Sequence, residues 1–225
     1  MLERRSNMKM ILVNFIGWRV GSSMLTGLIG KAGADIGKCD VKPTPYNKMG
    51  HNENIALREF QRKHFLPHWF WKDKRLEPEE MFKISSESKD EFADICKDEF
   101  GDSNTAVTKC MTGSLIASAD KAGMDVRVIW LRRNLENQAR SLSKVIEQKD
   151  YVNPATVKWL SECEAWMMEF FLYRGLPITD VRFEELLARP KKECNRLSEF
   201  LDMEIPDEAI LAWIKPELSR STNSL

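Results

Sequence analysis

The hydrophobic and polar positions alternate between two kinds of block along the chain. Residues 11–16, Ile-Leu-Val-Asn-Phe-Ile, form a short apolar run that stops at Gly17, the pattern of a strand buried on both faces. From Ser22 the apolar residues Met24, Leu25, Leu28 and Ile29 recur at helical spacing, and Gly33 is a plausible stop. The same sequence of strand then helix is predicted at Thr105–Lys109 with Gly113–Ala122, at Val126–Leu131 with Leu135–Gln148, and at Ile178–Phe183 with the helix after it. A further helix follows Asn153 and Pro154 and ends at Gly175. The last begins near Pro206, ahead of a polar tail from Lys215 to Leu225. Repeated strand–helix units predict an α/β fold with a central parallel sheet flanked by helices. We expect a single domain over 1–225, with a helical insertion at about 43–104 rich in aromatics and lysine: His64, Phe65, Trp69, Phe70, Trp71, Lys72 and Lys74. The broad apolar face of the helix after Pro154 reads as core.

Composition narrows the class. The 225 residues carry 34 Lys plus Arg and 34 Asp plus Glu, a net charge of zero that argues against a general coat for nucleic acid. Five scattered cysteines (Cys39, Cys96, Cys110, Cys163, Cys194) contain no Cys-x-x-Cys pair and read as reduced thiols of a cytoplasmic protein. Nothing is apolar for the ~20 residues a membrane span needs. Arg4, Arg5 and Lys9 before the run Met10–Trp18 loosely mimic a signal peptide, but Asn14 interrupts the run and no convincing cleavage site follows. His51, His64 and His68 lack metal-ligand spacing, so no metal is expected.

Two segments carry candidate chemistry. Gly17-Trp18-Arg19-Val20-Gly21-Ser22-Ser23-Met24 lies between a buried strand and a helix, where unpaired N–H groups and the helix dipole favour anions. It is not a Walker A loop, because its glycines are one residue too close and no lysine precedes Ser22. On this segment alone a ligand-free tight turn is an equal reading. The second segment follows Val128–Leu131, where Arg132 and Arg133 leave a strand and Ser141 follows about two helical turns in. Arg133 and Ser141 are placed to grip one phosphate, a task suited to the guanidinium fork.

The order basic-x-Gly-Ser-Ser after a buried strand, here Arg19, Gly21, Ser22 and Ser23, resembles the loop of the sulfotransferase family. In that family the loop binds the 5′-phosphosulfate side of 3′-phosphoadenosine 5′-phosphosulfate (PAPS); Val20 stands where serine is usual. Arg133 and Ser141 are similar, in register, to the element that binds the 3′-phosphate, with Asn134-Leu135 in place of Asp-Pro. Asp180 to Pro190 is similar to the family's aromatic-Glu-Asp-Leu segment, with a structural role. Arg220 falls where many members close over the nucleotide.

The resemblance implies a PAPS-dependent transferase of the small bacterial type with a P-loop-like fold. It would hold PAPS through Arg19, Val20, Gly21, Ser22, Ser23, Met24, Arg133, Ser141 and Arg220, and release adenosine 3′,5′-bisphosphate. Arg19 and Lys109 are the candidate charge stabilisers. In many bacterial relatives Asp-Pro follows such a lysine; here Cys110-Met111 does. Glu53, in a Gly-x-x-Glu arrangement from Gly50, or else His51, is the candidate base. Asn52 or Asn54 as a plain helix cap is the alternative for that segment. The expected acceptor is a small molecule, carbohydrate or lipid. A small-molecule kinase and a non-catalytic nucleotide-binding relative are the competing readings.

Overall fold

A computed structural model describes residues 8–40, 42, 50–65, 76–111, 113–146 and 150–214. Four parallel strands form the centre: β1 (Lys9–Phe15), β4 (Thr105–Met111), β5 (Asp125–Arg132) and β6 (Ile178–Arg182), in the order β4-β1-β5-β6. The order places β1 inside the sheet, which is why its run of seven residues is almost wholly buried. Side chains alternate across the sheet with period two. Met10 and Leu12 enter one hydrophobic layer, and Ile11, Val13 and Phe15 enter the other.

The first layer is covered by α2 (Ile55–His64), α3 (Pro78–Glu87), α4 (Lys89–Phe100), α5 (Ser114–Lys121) and α7 (Pro154–Arg174). The second is covered by α1 (Ser22–Lys31), α8 (Phe183–Ala188), α9 (Pro190–Leu201) and α10 (Asp207–Trp213). Helix α6 (Leu135–Ile146) leaves the carboxyl end of β5 and packs against α7. The aromatic face of α7 is core: Phe170 is fully buried and stacks on Phe82 of α3 with centroids 5.6 Å apart. Among the described residues the insertion supplies α2, α3 and α4. Trp69, Trp71, Lys72 and Lys74 lie outside the described residues.

Several boundaries depart from the sequence pattern by a residue or two. β1 begins at Lys9 and ends before Ile16. β4 continues two residues past Lys109 to Met111. A two-residue antiparallel ladder, β2 (Cys39–Asp40) with β3 (Glu53–Asn54), has no signature in the pattern, because two residues are too few to show a period. It rests on a strip of chain that runs along the free edge of β4. The Asp35 N–H donates to Thr105 O at 2.9 Å, and the Val107 N–H donates to Asp35 O at 2.8 Å. The Glu99 carboxylate of α4 then clips this strip, accepting from the Lys38 N–H and from Asn54 Nδ2, both at 2.9 Å. All five cysteines are free thiols, and no described helix is long and apolar enough to cross a membrane.

Candidate active site

Six residues, 16–21, join β1 to α1 and form a loop at the carboxyl edge of the sheet. Within it φ is positive at Gly17 (61°), Arg19 (70°) and Gly21 (95°), and negative at the residues between. That alternation is the form of an anion-binding nest, in which successive N–H groups turn toward one point. Arg19 takes this left-handed conformation without glycine's freedom, a cost of about 1–2 kcal/mol that the surrounding contacts must offset. At the loop's end Gly21 is the N-cap of α1; no side chain caps this helix and no acidic residue lies in its first turn. The positive pole of α1 therefore faces the loop's open side uncompensated by a carboxylate of its own helix.

Side chains from four elements hold this loop. Gln138 of α6, nearly fully buried, donates from Nε2 to the carbonyls of Ile16 at 2.7 Å and Trp18 at 3.0 Å. Arg133, at the end of β5, donates from Nη1 to the Arg19 carbonyl. Phe183 packs so tightly on Gly21 that a β-carbon there would overlap its ring, and the same ring lies 4.8 Å beneath the Arg133 guanidinium. Asn52, buried and at φ 50°, donates from Nδ2 to Ser23 O at 2.9 Å. Val20 points into the hydrophobic layer at 1% exposure, so valine at this position withdraws nothing from the open side of the loop. Ser22 is buried at the helix start, and Met24 packs partly against the same layer.

The two basic segments meet here. Arg19 Nε donates to Ser141 Oγ at 3.3 Å, joining the loop to α6. Arg133 and Ser141 thus both engage Arg19, and Arg19 stands between them. Burial works against the Arg133 charge and pulls its pKa to about 10, Glu184 opposes the drop, and Arg19 adds to it. At neutral pH the group is still a cation. Asn134 and Leu135 form a regular helix start: Asn134 Oδ1 accepts the Asn137 N–H at 3.0 Å, and the Asn134 N–H donates to Glu184 at 3.1 Å. Arg132 turns away from this cluster, paired with Asp180 at 2.8 Å and stacked over Trp130 at 4.7 Å.

On the other side of α1, Lys109 reaches up from β4. Its side chain is 5% exposed, and Nζ donates to Ser23 Oγ and to Glu53 Oε1, both at 3.1 Å. Desolvation lowers its pKa, while the charge and hydrogen bond of Glu53 oppose that drop. Glu53 is one-third exposed and also lies 3.6 Å from Arg58. Asn54 caps α2, its Oδ1 accepting the Leu57 N–H at 3.0 Å. The cap and the carboxylate are therefore adjacent residues with separate tasks. His51 is partly buried and makes no hydrogen bond to another described residue. Arg220 lies outside the described residues, and so does His68; His64 pairs with Glu91 at 3.0 Å.

The turn after β4 has a similar form but different surroundings. Gly113 caps α5 in the left-handed conformation (φ 78°) and Ser114 follows it, as Gly21 and Ser22 do at α1. Only two residues, 112 and 113, separate strand from helix. Asn14 Oδ1 takes the Gly113 N–H at 3.0 Å, and Gln61 Nε2 donates to Ser114 Oγ at 2.6 Å. The Cys110 thiol turns onto this helix start, facing the N–H groups of Gly113, Leu115 and Ile116; burial nevertheless pushes it up to about 11. The start of α5 is thus occupied by side chains of the protein itself.

The contacts that Gln138, Phe183, Asn52 and Asn14 make were not legible in the sequence, because each acts on backbone brought close only by folding. Asn14 left a trace as a polar residue inside a buried strand.

No family model matches the sequence, and no curated protein matches it. Among solved structures the fold is similar to the sulfotransferase domain of the Synechococcus PCC 7002 olefin synthase. That match has a TM-score of 0.51 and 14% identity and covers 97% of this chain and 83% of that one. The sulfotransferase domain from the curacin biosynthetic pathway (TM-score 0.45, 14% identity, 97% and 78% covered) is also matched. So is sulfotransferase STF9 from Mycobacterium avium (0.41, 14%, 92% and 66%). With its parallel sheet in the order β4-β1-β5-β6 and a P-loop-like turn at the head of α1, the chain has the sulfotransferase fold.

Proposed function

We propose that the protein is a PAPS-dependent sulfotransferase acting on a hydroxyl or amine of a small-molecule, carbohydrate or lipid acceptor. The observation that carries the reading is the chain of contacts Ser23–Lys109–Glu53. It puts a buried cation between the first turn of an uncapped helix and a partly exposed carboxylate. The residues suit the donor. Loop 16–21 and the start of α1, with Ser22, Ser23 and Met24, offer N–H groups and hydroxyls to the 5′-phosphosulfate. Arg133 and Ser141 flank Arg19 for the 3′-phosphate.

PAPS supplies an activated sulfuryl group whose S–O bond to the phosphate oxygen breaks as the acceptor oxygen or nitrogen bonds to sulfur. The bond's electrons leave with adenosine 3′,5′-bisphosphate. Lys109 and Arg19 offset the charge gathering on that bridging oxygen. Glu53 takes the acceptor's proton, and its partly exposed position suits a group that meets an incoming substrate. His51 is the nearby alternative. Because protein cations stand at the leaving group, the reading needs no metal.

The test compares nucleotides. Adenosine 3′,5′-bisphosphate raises the melting temperature well above the shift given by adenosine 5′-monophosphate, and labelled sulfate passes from PAPS to an acceptor in a mixed lysate. Equal shifts with no transfer would refute the reading.

A further inference from the structure

The anion loop owes its shape to a residue outside it. We infer that Gln138 is a positioning residue that sets the donor specificity of this loop by turning its N–H groups toward the ligand; the inference rests on the proposed function.

The geometry is elementary. In a trans peptide the C=O and the following N–H point in opposite directions, and the described chain contains no cis peptide. Gln138 Nε2 draws the carbonyls of Ile16 and Trp18 toward α6. The N–H groups of the same two peptides belong to Gly17 and Arg19, and they are turned to the opposite side. Arg133 does the same for the next peptide: it draws the Arg19 carbonyl and turns the Val20 N–H away. These are the peptides in which φ alternates in sign.

Two carbonyls of alternate residues aimed at one buried point repel each other and would cost a desolvation penalty if left unpaired. A primary amide nitrogen satisfies both with its two hydrogens. Both partners are acceptors, so only the nitrogen of the Gln138 amide can face them. Gln138 is 3% exposed, and its nitrogen lies 3.3 Å from where a β-carbon on Gly17 would sit, so the amide is packed closely against the loop. Helix α6 also carries Ser141, the partner of Arg19. One helix therefore sets both the peptide orientations of the loop and the side chain at its centre. The group whose binding depends on this is the 5′-phosphate of the nucleotide, while the 3′-phosphate relies on side chains.

The experiment measures a ratio within each protein: the affinity for adenosine 3′,5′-bisphosphate divided by that for adenosine 3′-monophosphate. In the wild type this preference for the 5′-phosphate is large; its absence would remove the proposed function itself. Gln138→Met, similar in shape without the donor, is expected to lower the preference roughly tenfold, about 1.4 kcal/mol, with 3′-monophosphate affinity unchanged. Gln138→Glu, an acceptor in place of the donor, lowers it further. A merely structural role would weaken both nucleotides alike, and unchanged preference in a folded variant overturns the inference. Should neither variant fold, hydrogen exchange of the Gln138 side-chain amide in the wild type decides. Slow exchange that slows again with adenosine 3′,5′-bisphosphate supports the role, and fast exchange with the nucleotide bound sinks it.

Discussion

Lys109 and Glu53 stand 56 positions apart in the chain and meet at 3.1 Å beside the first turn of α1. The lysine is almost fully buried and the carboxylate is one-third exposed. Loss of the carboxylate would leave the buried ammonium uncompensated, whereas the carboxylate keeps contact with solvent.

That asymmetry separates two substitutions. Glu53→Gln is expected to leave adenosine 3′,5′-bisphosphate affinity within about twofold and to lower sulfuryl transfer by about 10²–10⁴, the range for a general base. Titration calorimetry and transfer from labelled PAPS measure the two quantities. Full activity in this variant would move the base role to His51.

Lys109→Met removes one of the two cations proposed to act on the leaving group. Turnover should fall on the order of 10²–10³, with the loss in kcat rather than in donor KM. A loss confined to KM would make Lys109 a binding residue only.

The lysine also predicts a pH dependence. Its folded-state pKa lies below the ordinary value of 10.5, mainly through burial. The unfolded chain therefore binds more protons than the folded one as pH approaches 10.5 from below. In that window the wild type gains stability with rising pH relative to Lys109→Met. Urea unfolding of the two proteins from pH 7 to 10 tests the sign; a difference that falls with pH contradicts it.

Gly21 couples the loop to α8. Gly21→Ala places a methyl in the Phe183 ring at a backbone φ of 95°. The expected loss is about 1–3 kcal/mol for overpacking, together with loss of nucleotide binding. Phe183→Leu in the same chain should recover part of the stability, a coupling that a double-mutant cycle reads directly. Strict additivity would mean that the ring is not the obstacle.

Arg133→Ala removes the donor to the Arg19 carbonyl and the cation over Phe183 in one step. Nucleotide affinity should drop at least tenfold, since a charged hydrogen bond contributes about 1.5–3 kcal/mol. Arg133→Lys should not restore it, because an ammonium cannot both stack on the ring and reach the carbonyl. Recovery by lysine would reduce the role to charge alone.

Periodicity and composition alone were enough for the strand–helix alternation, a glycine- and serine-rich turn at 17–24 between a buried strand and a helix, and basic residues near the carboxyl ends of β4 and β5. These are local properties: a buried strand is a short apolar run, and an anion turn is a cluster of glycine and hydroxyl residues. The edges of the elements were less legible, as β4 shows by running on to Met111. Its end is set by pairing with β1, to which the residues of β4 themselves give no clue.

What surrounds each turn was decided by tertiary structure. Gly21-Ser22 and Gly113-Ser114 look alike in sequence, yet Cys110, Asn14 and Gln61 engage the second. Gln138 and Arg133 bond the carbonyls of the first, Phe183 packs on its Gly21, and Asn52 bonds the first turn of α1. The sequence by itself determined the elements and the residue types at their ends, because propensity and hydrophobic period act over a few neighbours. The partner of each buried amide, carbonyl and charge came only with folding, because those groups must be satisfied by whatever the packed sheet and helices bring within 3 Å, at any distance along the chain.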